Sequence, residues 1–227
     1  MPAHASRPAP IAQIDQARRR ACRAVAAGLL AAIATAATAA PTIDTIVLER
    51  GHSVGVGNAI TVVYRARVLF ADGRWTGAAD TALDPTPRID GRWQREGDEF
   101  VLTSQAGQRK RIAASLQARA ATADLRLDGE YRRLGGVGAP GTGTAAVAAW
   151  TAWRFFADGR LTSAQGAGAT AGGMATAAAS QAAGRYRLDG WTLAVEHADG
   201  RRERHLFYRF PDSDRSIGVG AQVLTRR

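Results

Sequence analysis

The sequence is nearly devoid of cysteine and lysine: Cys22 and Lys110 are the single examples in 227 residues. A lone cysteine forms no internal disulfide and no cysteine-based metal cluster. Long apolar runs are also missing. The most apolar stretch, Ala24 to Ala36, is Ala-rich and falls short of the ~20 strongly apolar residues that a spanning helix needs. Beyond residue 40, no segment combines helical periodicity with capping residues, which excludes a helical bundle. No phosphate-cradling motif is complete, because neither Gly55-x-Gly57 nor the Gly-rich stretch Gly135 to Gly143 is followed by Lys-Ser/Thr and a helix.

The first 39 residues read as a secretory signal peptide. Arg18, Arg19, Arg20 and Arg23 precede the uncharged Ala24 to Ala36 run, and Ala37-Thr38-Ala39 supplies a small-x-small cleavage site. Cleavage there removes Cys22, so the exported chain folds without disulfides and depends on its core. It keeps 25 of 30 Lys+Arg (five arginines lie upstream) and 19 of 20 Asp+Glu (Asp15 lies upstream), a net charge of about +6. Such a surface favours anionic neighbours. The Arg-for-Lys bias and the abundance of Ala and Gly fit a GC-rich bacterial genome. An exported chain with no nucleic-acid motif is not expected to bind nucleic acid.

What is present is an internal echo. Phe70-Ala71-Asp72-Gly73-Arg74 returns as Phe156-Ala157-Asp158-Gly159-Arg160, an offset of 86 (156 − 70). Gly91-Arg92-Trp93 returns as Gly184-Arg185-Tyr186. Repetition on this scale organises a fold before any single residue does. Residues 40–117 form unit one, 118–124 a joint, and 125–227 unit two, the units together making one domain. Thr61 to Phe70 alternates, with Tyr64, Ala66, Val68 and Phe70 on one face and Arg65 and Arg67 on the other, which is the period of a half-buried strand. Asp72-Gly73 closes a tight hairpin. Glu203 to Phe210 places Leu206, Tyr208 and Phe210 on one face. The expected fold is all-β: an antiparallel meander of about ten strands in two repeated units, making a closed barrel or barrel-like sandwich. Ile217 to Thr225 supplies one closing strand, and the Ala/Gly tract Gly166 to Gly184 is expected as a loop.

The run Phe155 to Arg160, with Gly184-Arg-Tyr-Arg-Leu-Asp-Gly-Trp-Thr-Leu193 and Asp199-Gly-Arg-x-Glu-Arg-x-Leu-Phe-Tyr208, resembles uncharacterised bacterial secreted β-meander proteins and is loosely lipocalin-like. That resemblance implies a meander with an interior open to a small hydrophobic or amphipathic ligand. It brings no catalytic residues and no cofactor.

Candidate sites follow from residue chemistry. The repeated aromatics Tyr64, Phe70, Trp93, Trp150, Phe156 and Tyr186 are the candidate ligand contacts. The basic runs Arg109, Lys110, Arg111 and Arg201, Arg202, Arg204 are candidates for an anion-binding rim, with an anionic envelope polymer as the alternative partner. Gly51-His-Ser53-Val-Gly55 matches a nucleophile elbow in letters, but a strand rather than a helix follows it, so Ser53 is read as coincidental and the chain as non-enzymatic. His197 and His205, with Glu203, flank one hairpin. They are expected as solvent-facing strand residues rather than as a zinc site. Asp212-Ser213-Asp214 is read as a polar turn rather than a calcium loop.

Overall fold

A computed structural model describes residues 40–54, 60–137, 146–171 and 174–227. The expected signal peptide, residues 1–39, lies outside the described residues, as do Gly55 to Gly57 and most of Gly135 to Gly143. The described chain is all-β and antiparallel, as expected, with fourteen strands among the described residues in place of about ten.

Six strands form the first sheet in chain order: β1 (Ile43–Val54), β2 (Ile60–Phe70), β3 (Arg74–Thr76), β4 (Gly91–Glu96), β5 (Glu99–Ser104) and β6 (Arg109–Ala113). The sheet curls back on itself. Gln117 bridges Val47 of β1, and the Gln117 side-chain amide donates to Thr45 Oγ1 at 2.9 Å. Eight strands then make an up-and-down barrel: β7 (Gly129–Val137), β8 (Ala146–Phe155), β9 (Arg160–Ala171), β10 (Met174–Asp189), β11 (Thr192–His197), β12 (Arg202–Phe210), β13 (Ser213–Val219) and β14 (Gln222–Arg226). Pairing of β14 with β7 closes it, through Thr225 with Arg132 and Arg226 with Tyr131. Closure removes the exposed edges that an open meander leaves.

Two expectations are corrected here. The described parts of this tract, Gly166 to Ala171 and Met174 to Gly184, are strand, not loop: β9 and β10 pair from Arg160 with Arg185 to Ala171 with Met174. Low apolar content argued for a loop, but ladder pairing satisfies the backbone of even an Ala/Gly tract: β9 lies between β8 and β10, and Met174 to Ala183 of β10 pair with β9. Ile217 to Thr225 holds parts of two strands. The break falls at Gly220, where φ is +58°, and Val219 pairs with Gln222 across it.

The two echoed hairpins are built alike. Gly73 and Gly159 have φ of +80° and +84°, a region that only glycine adopts without strain. Asp72 accepts from the Arg74 amide at 3.1 Å, and Asp158 from the Arg160 amide at 3.0 Å. The Trp93 amide donates to the Gly73 carbonyl and the Tyr186 amide to the Gly159 carbonyl, both at 2.8 Å.

Three apolar clusters hold these elements. Val47, Leu69, Trp75, Phe100, Leu102 and Ile112 fill the inside of the curled sheet. Its other face, with Ile46, Leu48, Ala66, Val68 and Phe70, packs on Leu206, Tyr208 and Phe210 of β12. Those three β12 residues share one face, as the alternation predicted, and that face is the outside of the barrel. Phe207, pointing the other way, belongs to the barrel core. β12 is therefore buried on both sides. Residues 118–124 run as a strap between the parts: the Ala118 amide donates to Ile46, Arg119 and Arg209 exchange backbone bonds, and the Ala121 amide donates to Gly190.

Candidate ligand cavity in the barrel mouth

Inward positions of the barrel alternate with outward ones, and the inward set changes character along the axis. The floor is packed with large apolar groups. Phe155 is fully buried and meets Tyr131 and Tyr186 edge-on, with centroids 5.7 and 5.0 Å apart. The Tyr186 hydroxyl donates to the Leu127 carbonyl and accepts from the Leu127 amide, each at 2.9 Å, so its polar end is satisfied.

Above this floor, apart from Trp153 on β8, the inward residues become small or polar: Thr151 on β8, Ser163 and Gln165 on β9, Ser180 on β10 and Gln222 on β14. Side chains this short do not meet across the lumen. A cavity of about 670 Å³ remains, within the ~300–1,000 Å³ usual for small-molecule sites. Asp80, in the short 3₁₀ turn Ala79–Thr81 between β3 and β4, reaches its rim, where Oδ1 accepts from the Ala221 amide at 2.8 Å.

One charged cluster stands in the cavity wall. Glu203 Oε2 lies 3.2 Å from His205 Nε2, and Oε1 lies 3.3 Å from both His197 Nε2 and Arg201 Nε. The His197 side chain is only 9% exposed, and its Nε2 is buried and out of line for a hydrogen bond to Glu203. The His205 ring meets Trp153 edge-on at 5.5 Å. Burial pushes the Glu203 carboxyl up, but the attraction of His197 and His205 outweighs it and holds the group below the usual glutamate range. Among the described residues, no group of three or more His, Cys, Asp and Glu side chains is arranged to hold a metal ion. Both imidazoles address the same carboxylate, which Arg201 also contacts.

The two histidines are thus not solvent-facing strand residues, and that expectation is corrected. They line the cavity because Glu203, His205 and Phe207 share the face of β12 that looks into the barrel, and His197 shares the inward face of β11 with Leu193 and Val195. For β12 the signal was in the sequence: the face opposite Leu206, Tyr208 and Phe210 carries Glu203 and His205.

The six aromatics taken as ligand contacts do not line one space. Phe70 is fully buried between the first sheet and β12, where Tyr64 meets Phe210 edge-on at 5.2 Å. Trp93 packs against Phe100 in the first sheet and donates its indole N–H to the Phe70 carbonyl at 2.9 Å. Trp150 is 38% exposed on the outside of the barrel. Phe156 lies between the guanidinium groups of Arg154 and Arg160, 5.3 and 4.9 Å from its centroid. Tyr186 belongs to the floor. The tryptophan that reaches the cavity is Trp153, one strand alternation out of phase with Trp150.

The basic runs are largely consumed by pairing. Arg109 and Arg111 hold Glu96 at 2.9 and 2.8 Å, Arg111 also reaches Glu99, and Lys110 takes Glu49. These residues lie on β6, an edge strand of the first sheet, where charge discourages unwanted pairing. Arg202 pairs with Glu196 at 3.1 Å, Arg201 turns to Glu203, and Arg204 is exposed on the outward face of β12. Asp214 accepts from Arg209 and Arg119 at 2.5 and 2.9 Å, so Asp212-Ser213-Asp214 serves to anchor the strap. Ser53 is exposed within β1 and pairs with Thr61, away from any strand-to-helix turn.

An all-β chain with an eight-stranded closed barrel and a polar mouth is the class that the geometry defines. No protein-family model matches the chain, and no curated protein and no solved structure matches it.

Proposed function

We propose that this chain is an exported, non-enzymatic binding module that holds a small amphipathic molecule in the mouth of its barrel. The observation that carries the proposal is the cavity itself: a lumen of about 670 Å³, open at the mouth, above an aromatic floor, with polar groups around its wall and a charged cluster on one side. An up-and-down barrel of eight strands is just wide enough to hold one small ligand, which supports the lipocalin-like reading. The apolar part of such a ligand would rest against Trp153 and Val219, and its polar part would meet His197 and Glu203. The anionic-polymer alternative is weakened by the ion pairs that occupy Arg109, Lys110, Arg111, Arg201 and Arg202.

Native mass spectrometry of the full chain, expressed in a bacterial host and recovered gently, tests this. The expected result is a mass excess that disappears on denaturation. A bare mass, together with no change in Trp fluorescence across a panel of amphiphiles and sugars, overturns it.

A further inference from the structure

The cavity wall specifies more than an opening. His197 lines the cavity, and its Nε2 is buried without an in-line partner, 3.3 Å from a Glu203 oxygen, so a ligand meets it once the imidazole turns toward the lumen. A buried polar atom left unmatched is costly, so a ligand that matches it gains affinity. The neighbouring charges decide what kind of ligand does so.

An anionic group placed at His197 Nε2 sits against the Glu203 carboxylate and is repelled. A cationic group meets the Arg201 guanidinium, itself 3.3 Å from Glu203 Oε1, and finds the carboxylate already compensated. A hydroxyl has neither problem. It accepts from the imidazole N–H with its oxygen lone pair and donates its own hydrogen to a Glu203 oxygen, completing both groups at once. Five further wall residues have the same two-way character, and Asp80 adds a carboxylate at the rim that already accepts from the Ala221 amide. Ser163, Ser180 and Thr151 each donate and accept through one oxygen, and the Gln165 and Gln222 amides do so through two atoms. None of these five carries a charge.

Resting on the reading of the barrel as a binding module, we propose that its ligand is an uncharged, polyhydroxylated small molecule of the sugar type, with one hydroxyl bridging His197 Nε2 and Glu203. The polar head of the amphipathic ligand is then a neutral glycosyl or polyol group rather than a carboxylate or phosphate.

The test is calorimetric titration of the full chain with glucose, maltose and trehalose as neutral probes, laurate as an anionic amphiphile, and inorganic phosphate. Saturable binding of a neutral sugar is expected. Glu203→Gln and His197→Gln should each weaken it by about tenfold or more, the loss of one charge-assisted or buried hydrogen bond. Trp150→Phe, outside the barrel, should leave it unchanged. Should either cavity variant fail to fold, the imidazole ¹⁵N resonances of the unaltered protein provide the readout: the His197 Nε2 signal shifts on sugar addition. Laurate or phosphate binding in the cavity without sugar binding overturns the inference but leaves the binding module standing. Sugar binding that both variants retain at full strength also overturns it, as does a sugar that leaves the His197 signal unmoved. Absence of binding by every probe, with a bare native mass, removes both readings.

Discussion

Glu49 accepts from Arg67 Nε at 2.7 Å, with Nη2 2.5 Å from the same carboxylate oxygen, and Lys110 takes the other oxygen. The carboxylate is nearly buried on β1 and joins β1, β2 and β6 across the curled sheet. Burial pushes its proton affinity up, but the hydrogen bonds from Lys110 and Arg67 outweigh burial and hold the group below the usual glutamate value of 4.5. The sign of the pH effect follows. A carboxylate with a depressed value in the folded state contributes stability that is fully present above its unfolded value and is lost as pH falls through the folded one. Urea unfolding of the protein between pH 7 and pH 3 should show stability declining below about 4.5. Glu49→Gln should cost about 1.5–3 kcal/mol at pH 7 and flatten the acid decline. An unchanged acid slope in that variant assigns the decline to other carboxylates.

Gly184 has no room for a side chain. A Cβ there would stand 2.3 Å from the Glu196 carbonyl oxygen, and at its counterpart Gly91 it would stand 1.9 Å from the Thr103 carbonyl oxygen. Both obstacles are backbone in a paired strand, so the ladder itself must shift. Gly184→Ala and Gly91→Ala should each destabilise by about 1–3 kcal/mol in thermal or urea unfolding. Gly166→Ala should cost clearly less. Its nearest atoms belong to the Trp150 indole, a half-exposed side chain that can swing aside.

The two neighbouring tryptophans of β8 should separate in a quenching experiment. Trp150 is outside the barrel and Trp153 faces the cavity. Trp150→Phe should remove most of the acrylamide-accessible emission contributed by this strand, while Trp153→Phe should leave the accessible fraction nearly unchanged and abolish any ligand-dependent emission change. Equal quenching losses in both variants contradict the assignment of faces.

Much of this fold could be read from local chemistry. Asp-Gly turns and the alternation of β2 and β12 mark strands and hairpins, and those elements stand where the residues placed them. Strand assignment failed where pairing alone decides, in the Ala/Gly tract of β9 and β10, because small side chains carry no period and only the neighbouring strands fix the backbone. The site was less legible for a related reason. Alternation tells which residues share a face but not which face is covered. Leu206, Tyr208 and Phe210 form the more apolar face of β12, yet that face is not the barrel's inside. They are buried instead by the first sheet, and the polar face with His205 and Glu203 was left to line the barrel.

The same distinction makes adjacent phenylalanines opposite in worth. Phe156 is the sequence counterpart of fully buried Phe70, and Phe155 that of Leu69. In the first sheet both faces are covered, so Leu69 and Phe70 are both in core. At β8 of the barrel only the inner face is. Phe155 has no exposed surface and supports the cavity floor through its edge contacts with Tyr131 and Tyr186, whereas Phe156 rests between two arginines. Phe155→Ala should therefore cost about 3–5 kcal/mol by urea unfolding, as expected for emptying a packed aromatic site. Phe156→Ala should cost about 1 kcal/mol, since it gives up surface cation–π contacts and little burial. A reversed ranking would mean that the register of β8 is shifted by one residue, which would turn Trp153 out of the cavity and Trp150 into it.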